Sequence, residues 1–415
     1  MTTPWTSNDA VVLGILSLIL AGVFQSARSR HPFFQRFYSI VPPLLLCYFV
    51  PSLLTSLGVY DPDQSQLYFV ASRFLLPASL VLLTVSTDLR EILRLGPKAV
   101  TVFAAGTVGI VLGGPVSLLF MKTVWPSAVA SIGDDALWRG MATVAGSWIG
   151  GGANQTAMKE VFEVSDDVFS AMITVDVLMA NVWMALLLFG VPRAAKIDRW
   201  NGADATVIDD LRTKLAARQE GRARIPQVAD LFILLAVGFG VTGVAHFLAD
   251  IIAPWVAENA PGLAKFSLTR PFFWLVVIAT TGGILLSFTR ASELESVGAS
   301  SVGTVFLYLL IASIGMQMDV MAIFDYGGLF VMGFVWIVIH ALCLFVAARV
   351  VRAPFFLVAV GSQANIGGAA SAPVVAGAFH PSLAPVGVLL AVLGYGVGTY
   401  AAYGCAQLMR VLIAP

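Results

Sequence analysis

Gly146 to Met158 reads GSWIGGGANQTAM, three consecutive glycines and several neutral amides and hydroxyls inside an otherwise apolar run. Glycine runs weaken a helix, and lipid cannot satisfy the backbone groups that a break opens. Such a segment persists at membrane depth only where protein or a watery cavity surrounds it. Roughly one half-chain later, Gly361 to Pro373 reads GSQANIGGAASAP, the same ingredients in another order. Two interruptions in matching positions of two halves point to a transport site.

The rest of the chain agrees with membrane depth. Of 415 residues 58% are hydrophobic and 12% charged, and the mean hydropathy is +0.87, whereas a soluble domain carries about 25% charged residues. This is an all-α, multi-pass membrane protein. Net charge is zero and the basic residues sit in short clusters between apolar runs, so no nucleic-acid surface is expected. Cys47, Cys343 and Cys405 lie far apart in apolar segments and read as buried small hydrophobes. The N-terminus lacks Lys or Arg before its first apolar run, and Arg28, Arg30 and Arg36 follow it, which predicts a retained first span with the N-terminus outside.

Runs of about 20 residues, enough to span, fall at 10–27, 37–57, 68–87, 98–121, 167–190, 228–252, 271–289, 301–318, 327–348 and 383–411. The loop 191–227 holds eight Lys and Arg against five acids, which predicts a cytoplasmic location. Counting from an external N-terminus, the loop reaches the inside only if the glycine segment 140–160 returns to the side it left. The same choice at 354–379 gives each half five spans and one re-entrant hairpin or broken helix. Five is odd, so the halves are expected to be inverted repeats, 1–190 and 228–415, joined by the linker 191–227. Asp204 to Glu220 reads as a short amphipathic helix in that linker.

For the first tip the candidate solute-binding residues are Ser147, Gly150, Gly151, Gly152, Asn154 and Gln155, with Thr156 beside them. For the second they are Gln363, Asn365, Gly367 and Gly368, with Ser362 and Ser371, and Tyr395 and Thr399 are expected to line the core beside it. Helix breaks expose N–H groups that favour anions and carbonyls that favour small cations. Asp176 lies deep in the following span, where an acid costs roughly 2.5–3.5 kcal/mol on an insertion scale. No Lys or Arg occurs between Lys159 and Arg193 to offset it. Asp176, Thr174 and Asn181 therefore form the candidate site for a coupling Na+ or H+. Asp88 and Asp319 read as interfacial caps, His340 as a packed neutral imidazole, and Arg73 as a side chain snorkelling to the outer interface. No P-loop, HExxH or GxSxG is present, so neither ATP drive nor those hydrolytic chemistries are expected, and no tightly bound cofactor is implied.

GSWIGGGANQ, TVDVLMANVW around Asp176, QANIGGAASAP and LGYGVGTYAAYG in the last span together resemble the YjcL-like family of bacterial and plant membrane proteins. More distantly, the plan is similar to the glutamate:sodium, citrate:sodium and bile-acid:sodium symporters and the sodium/proton antiporters. The resemblance implies a secondary transporter built of core and scaffold domains in a bacterial inner membrane, commonly a homodimer. Its partners would be membrane lipid and a small polar or anionic solute such as an amino acid, short peptide or dicarboxylate, with Na+ or H+ as coupling ion. A cation/proton antiporter is the alternative, with a channel or an intramembrane enzyme behind it. The second segment departs from the symporters' GGxG pattern, since Asn365 precedes only Gly367 and Gly368.

Overall fold

The computed structural model describes residues 4–38, 41, 43–86, 95–130, 132–203, 225–317, 328–380 and 383–413. Asp88, Asp319 and the linker helix expected at Asp204–Glu220 lie outside them. The described chain is helical, with one isolated bridge between Thr6 and Tyr60. In order, the helices are α1 Asp9–Ala27, α2 Pro32–Tyr38, α3 Pro43–Ser56, α4 Leu67–Val85, α5 Pro97–Val124, α6 Asp134–Phe162 and α7 Asp166–Gly190. There follow α8 Val228–Asn259, α9 Pro271–Ser287, α10 Ala299–Gly315, α11 Gly328–Val351, α12 Phe355–Ile366, α13 Gly368–Phe379 and α14 Ala384–Ile413.

Their apolar runs supply the drive, and local chemistry sets the ends. In α1, Asn8 accepts from the Ala10 N–H, and in α8 the Gln227 N–H donates to Asp230 while the Gln227 side chain caps in return. With 32 residues, α8 is about 48 Å long at 1.5 Å per residue, ample for a bilayer. Among the described residues seven helices are long and apolar enough to cross a membrane, or up to nine if each bent pair counts as one span. Ten crossings were expected from the sequence. The remaining run is α10, which is helical but only 17 residues long, short of the usual span.

Burial separates an inner from an outer layer. The most apolar window of α1 and of α8 is 22% buried, that of α4 67%. The inner α5 and α11 cross closely because four glycines on α5 leave room. A Cβ on Gly113 would stand 2.4 Å from Trp336 Cδ1, and one on Gly109 2.9 Å from the His340 Cα. Small residues bring helices close where water offers no drive between them. At this seam the Trp336 indole donates to the Ile110 carbonyl (2.7 Å) and His340 Nδ1 donates to that of Gly106 (2.9 Å).

The two glycine segments double back. In α6, Gly151 takes φ 73°, a conformation L side chains avoid, and the helix breaks there. Beyond it the arms run antiparallel: a Cβ on Gly146 would meet the Asn154 carbonyl at 2.6 Å, and Arg139 donates to the Phe162 carbonyl at 2.8 Å. Helices α12 and α13 do the same around Gly367 and Gly368, the latter at φ 60°. Gln363 donates to Ser371 (2.7 Å) near that tip, and the Phe355 and Phe379 rings meet at the base. Against the first hairpin α14 packs along its length, with Gly394 and Gly398 facing Ile149 and Gly150.

Candidate functional site

Asp176, on α7, is the node of the site. Its Oδ1 accepts from the Trp148 indole N–H at 2.7 Å, and its Oδ2 accepts from the Ser147 hydroxyl at 2.6 Å and Gln155 Nε2 at 3.0 Å. Ser147 and Trp148 belong to the first arm of the α6 hairpin and Gln155 to the second, so one carboxylate holds both arms. The Trp148 and Gln155 nitrogens that reach it are donors on both sides of the carboxyl. Among the described residues no ion pair reaches Asp176, which is 4% exposed. A carboxylate has about four lone-pair positions, and three are filled.

That carboxylate borders a cavity of ≈ 300 Å³ lying between the two hairpin tips, at the lower end of the range for small-ligand sites, about 300–1,000 Å³. Ser147, Gly151 and Gly152 come from the first tip; Gln363, Ile366, Gly367 and Ser371 come from the second. Asn181 and Met184 of α7, Tyr308 of α10 and apolar Phe24, Pro43 and Leu44 complete the wall. Gln363 uses its Nε2 on Ser371, and its buried Oε1 has no partner. A buried amide oxygen without a partner costs about 1–3 kcal/mol. With Asp176 it gives the cavity two oxygens able to receive a cation.

The sequence candidates divide between this cavity and the joints around it. Ser147, Gly151, Gly152, Asp176, Asn181, Gln363 and Gly367 border it, and Gln155 braces it from behind through Asp176. Asn154 turns to α14 instead: its Nδ2 donates to the Gly150 carbonyl (2.9 Å) and that of Tyr395 (3.3 Å), while its Oδ1 accepts from Thr399 (2.5 Å). Asn365 turns to α5, donating to the Phe103 and Gly361 carbonyls and accepting from Thr107 at 2.9 Å. Gly150 lies against α14, and Tyr395 stands beside Gly151 outside the cavity wall. Thr399 bridges Asn154 and Thr280, and Thr174 donates to the Ser170 carbonyl. Thr156 donates to the Gly152 carbonyl, and Gly368 serves the second turn.

Two arrangements had no counterpart in the sequence reading. Trp183 donates to the Ser362 Oγ at 2.7 Å, and Ser362 lies 2.8 Å from His340 Nε2. Nδ1 donates to the Gly106 carbonyl and Nε2 meets the Ser362 hydroxyl, so both ring nitrogens of the buried His340 are partnered within the protein. Arg73 does not point to the interface. It turns inward to Glu160, 3.2 Å away, and lies over the Phe272 ring. The acid that draws it lies on a different helix, so sequence spacing gave no sign of the pair. Trp148 was legible in principle, since it stands inside the glycine motif next to Ser147.

Helices of this length and apolarity, packed around a buried carboxylate and two backbone turns, define a multi-pass membrane protein with an internal polar site. Residues 14–412 match the family described as "Protein of unknown function (DUF819)", and the chain belongs to that family. It is also similar to the "Uncharacterized membrane protein YjcL" of Bacillus subtilis, 25% identical over 363 residues that cover 84% of this chain and 85% of that one.

Proposed function

We propose that this protein is a secondary active transporter that couples Na+ or H+ to the movement of a small polar or anionic solute by alternating access. The observation that carries the reading is the shared cavity: two helical hairpins from opposite halves of the chain bring their tips to one space that holds a deep, unpaired carboxylate. Broken backbone at such a place is expected to serve a ligand. In this reading the hairpins are re-entrant and Asp176, with the free oxygen of Gln363, receives the ion. The apolar wall from Phe24, Leu44 and Met184 receives the rest of the solute.

The packing also fits inverted repeats. Helices α1, α3, α4 and α5, the α6 hairpin and α7 would correspond in order to α8 to α11, the α12–α13 hairpin and α14. A two-fold relation requires counterparts to pair across its axis, and α4 packs on α10 and α5 on α11. It also requires that α3 against α10 be matched by α9 against α4, and both contacts exist. A cation/proton antiporter would need the acid but not the apolar wall, which favours symport.

The test is flux in proteoliposomes under an inward Na+ gradient, with a lumenal pH dye and a panel of labelled amino acids, dipeptides and dicarboxylates. Symport predicts accumulation of one class that collapses without the gradient and in Asp176→Asn. A pH change driven by Na+ alone, with no solute accumulated, would assign the antiporter. The absence of both in active-site-intact protein would overturn the reading.

A further inference from the structure

A second cavity, ≈ 550 Å³ against ≈ 300 Å³ at the tips, lies at the base of the first hairpin where α4, α6, α8 and α9 meet. Three cations, Arg73, Lys159 and Arg270, and three acids, Glu160, Glu163 and Asp250, border it. Most are already matched. Arg73 Nη2 pairs with Glu160 at 3.2 Å, Arg270 pairs with Glu163, and Lys159 pairs with Asp166 at 2.8 Å. Tyr68 donates to Glu160 and accepts from Lys159 at 2.8 Å.

Two polar groups keep spare capacity. Arg73 Nη1 is buried and has no hydrogen-bond partner, which leaves one prong of the guanidinium fork unused. Among the described residues Asp250 makes no ion pair. The guanidinium is held in place rather than left to wander. It stacks 4.4 Å from the Phe272 centroid, and its backbone lies in a π-helical turn, Ala71–Leu75, a feature that recurs at functional sites. His246 Nε2 donates to the Arg73 carbonyl at 2.8 Å. Asp250 follows His246 by four residues on α8, one turn along and on the same face, about 5–6 Å away. A donor prong and a carboxylate therefore border the same cavity.

We propose that this cavity is a second ligand site and that it takes a small zwitterion of the α-amino acid class, carboxylate on Arg73 and ammonium toward Asp250. A ligand that carries both charges fits this pair of groups, because an anion alone would leave Asp250 without a cation and a cation alone would leave the Arg73 prong without an acceptor. A dicarboxylate offers Asp250 no cation. The assignment concerns binding and does not depend on the transport reading.

The test uses the full chain in detergent, with thermal unfolding measured against each of the twenty common L-amino acids. At least one should raise the Tm, and its N-acetyl and carboxamide derivatives, each lacking one charge, should not. Asp250→Asn, at an exposed position where folding is not at issue, and Arg73→Gln should each raise the Kd about tenfold or more, the worth of a lost charge-assisted hydrogen bond. Asp176→Asn should leave that Kd unchanged. The proposal is overturned if no amino acid shifts the Tm or if a blocked derivative binds as tightly as its parent. It is also overturned if Asp176→Asn loses the binding while Asp250→Asn keeps it. None of these results alters Na+-driven flux, so failure here and failure of the transport reading are separable.

Discussion

Asp176→Asn should keep the fold and abolish stabilisation by sodium. The geometry says why. An asparagine can present its oxygen to the Trp148 indole in place of Oδ1, with its amide nitrogen on the Oδ2 side. There the Ser147 hydroxyl can turn to accept, and Gln155 can reverse its carboxamide to do likewise. All three bonds survive as neutral ones. Charge-assisted bonds contribute about 1.5–3 kcal/mol each and neutral ones about 0.5–1.5, so the exchange of three loses about 3–4.5 kcal/mol. Removing a buried charge returns several kcal/mol, which leaves the variant within about 2 kcal/mol of the parent when no cation is bound. Asp176→Leu has no acceptor to offer, and leaving the Trp148 and Gln155 donors unpaired should cost about 2–6 kcal/mol. The assay is thermal unfolding in detergent with sodium or choline chloride. At 100 times its Kd, sodium should stabilise the parent by about 2.7 kcal/mol and the Asn variant not at all. An Asn variant with the parent's full sodium increment, or one as unstable as the Leu variant, would refute this account of the carboxylate.

Three further outcomes follow from the packing. Asn154→Ala should lower stability by about 2–4 kcal/mol, because it strips the Thr399 hydroxyl of an acceptor and the Gly150 and Tyr395 carbonyls of a donor; an unchanged denaturation midpoint would show that this joint carries no weight. Gly151→Ala should lose about 1–3 kcal/mol, since φ 73° with ψ −176° is backbone that only glycine adopts readily, and the new methyl would stand 3.3 Å from the Tyr395 ring. Calorimetry or a dye-based melt reads the loss. Gly113→Leu should give little monodisperse protein on size exclusion, as its Cβ alone would collide with Trp336.

The parts legible in the sequence were those with a large energetic signature. Three glycines in an apolar run and an acid with no local counter-charge can each be read without a structure, because lipid penalises both wherever they occur. Directions were not legible. Asn154 and Asn365 stand in the glycine motifs, yet each faces a helix whose residues lie more than 200 positions away, Thr399 in one case and Thr107 in the other. Ser147 and Gln155 meet on one Asp176 oxygen because the chain reverses at Gly151, whereas eight residues of straight helix would set them about 12 Å apart along the axis. Arg73 illustrates the same limit. Its neighbours in sequence are apolar and predicted an escape to the interface, whereas the tertiary fold supplied Glu160, Phe272 and a cavity. The number of crossings fell between these cases: composition located every run, but α10 ends too early to count by length alone.

The hairpin of α6 has a consequence for how the protein is made. Its two arms contact each other locally and can pair as soon as residue 162 has emerged. The surface it offers to Gly394 and Gly398, however, waits for α14, which is made more than 200 residues later. Throughout synthesis of the second half the cell holds a membrane-inserted intermediate whose glycine-faced groove, and the Asn154 carboxamide beside it, lack their partner. Such an intermediate is a target for membrane chaperones and intramembrane quality control. Chains truncated before α14 should therefore be degraded rather than accumulate.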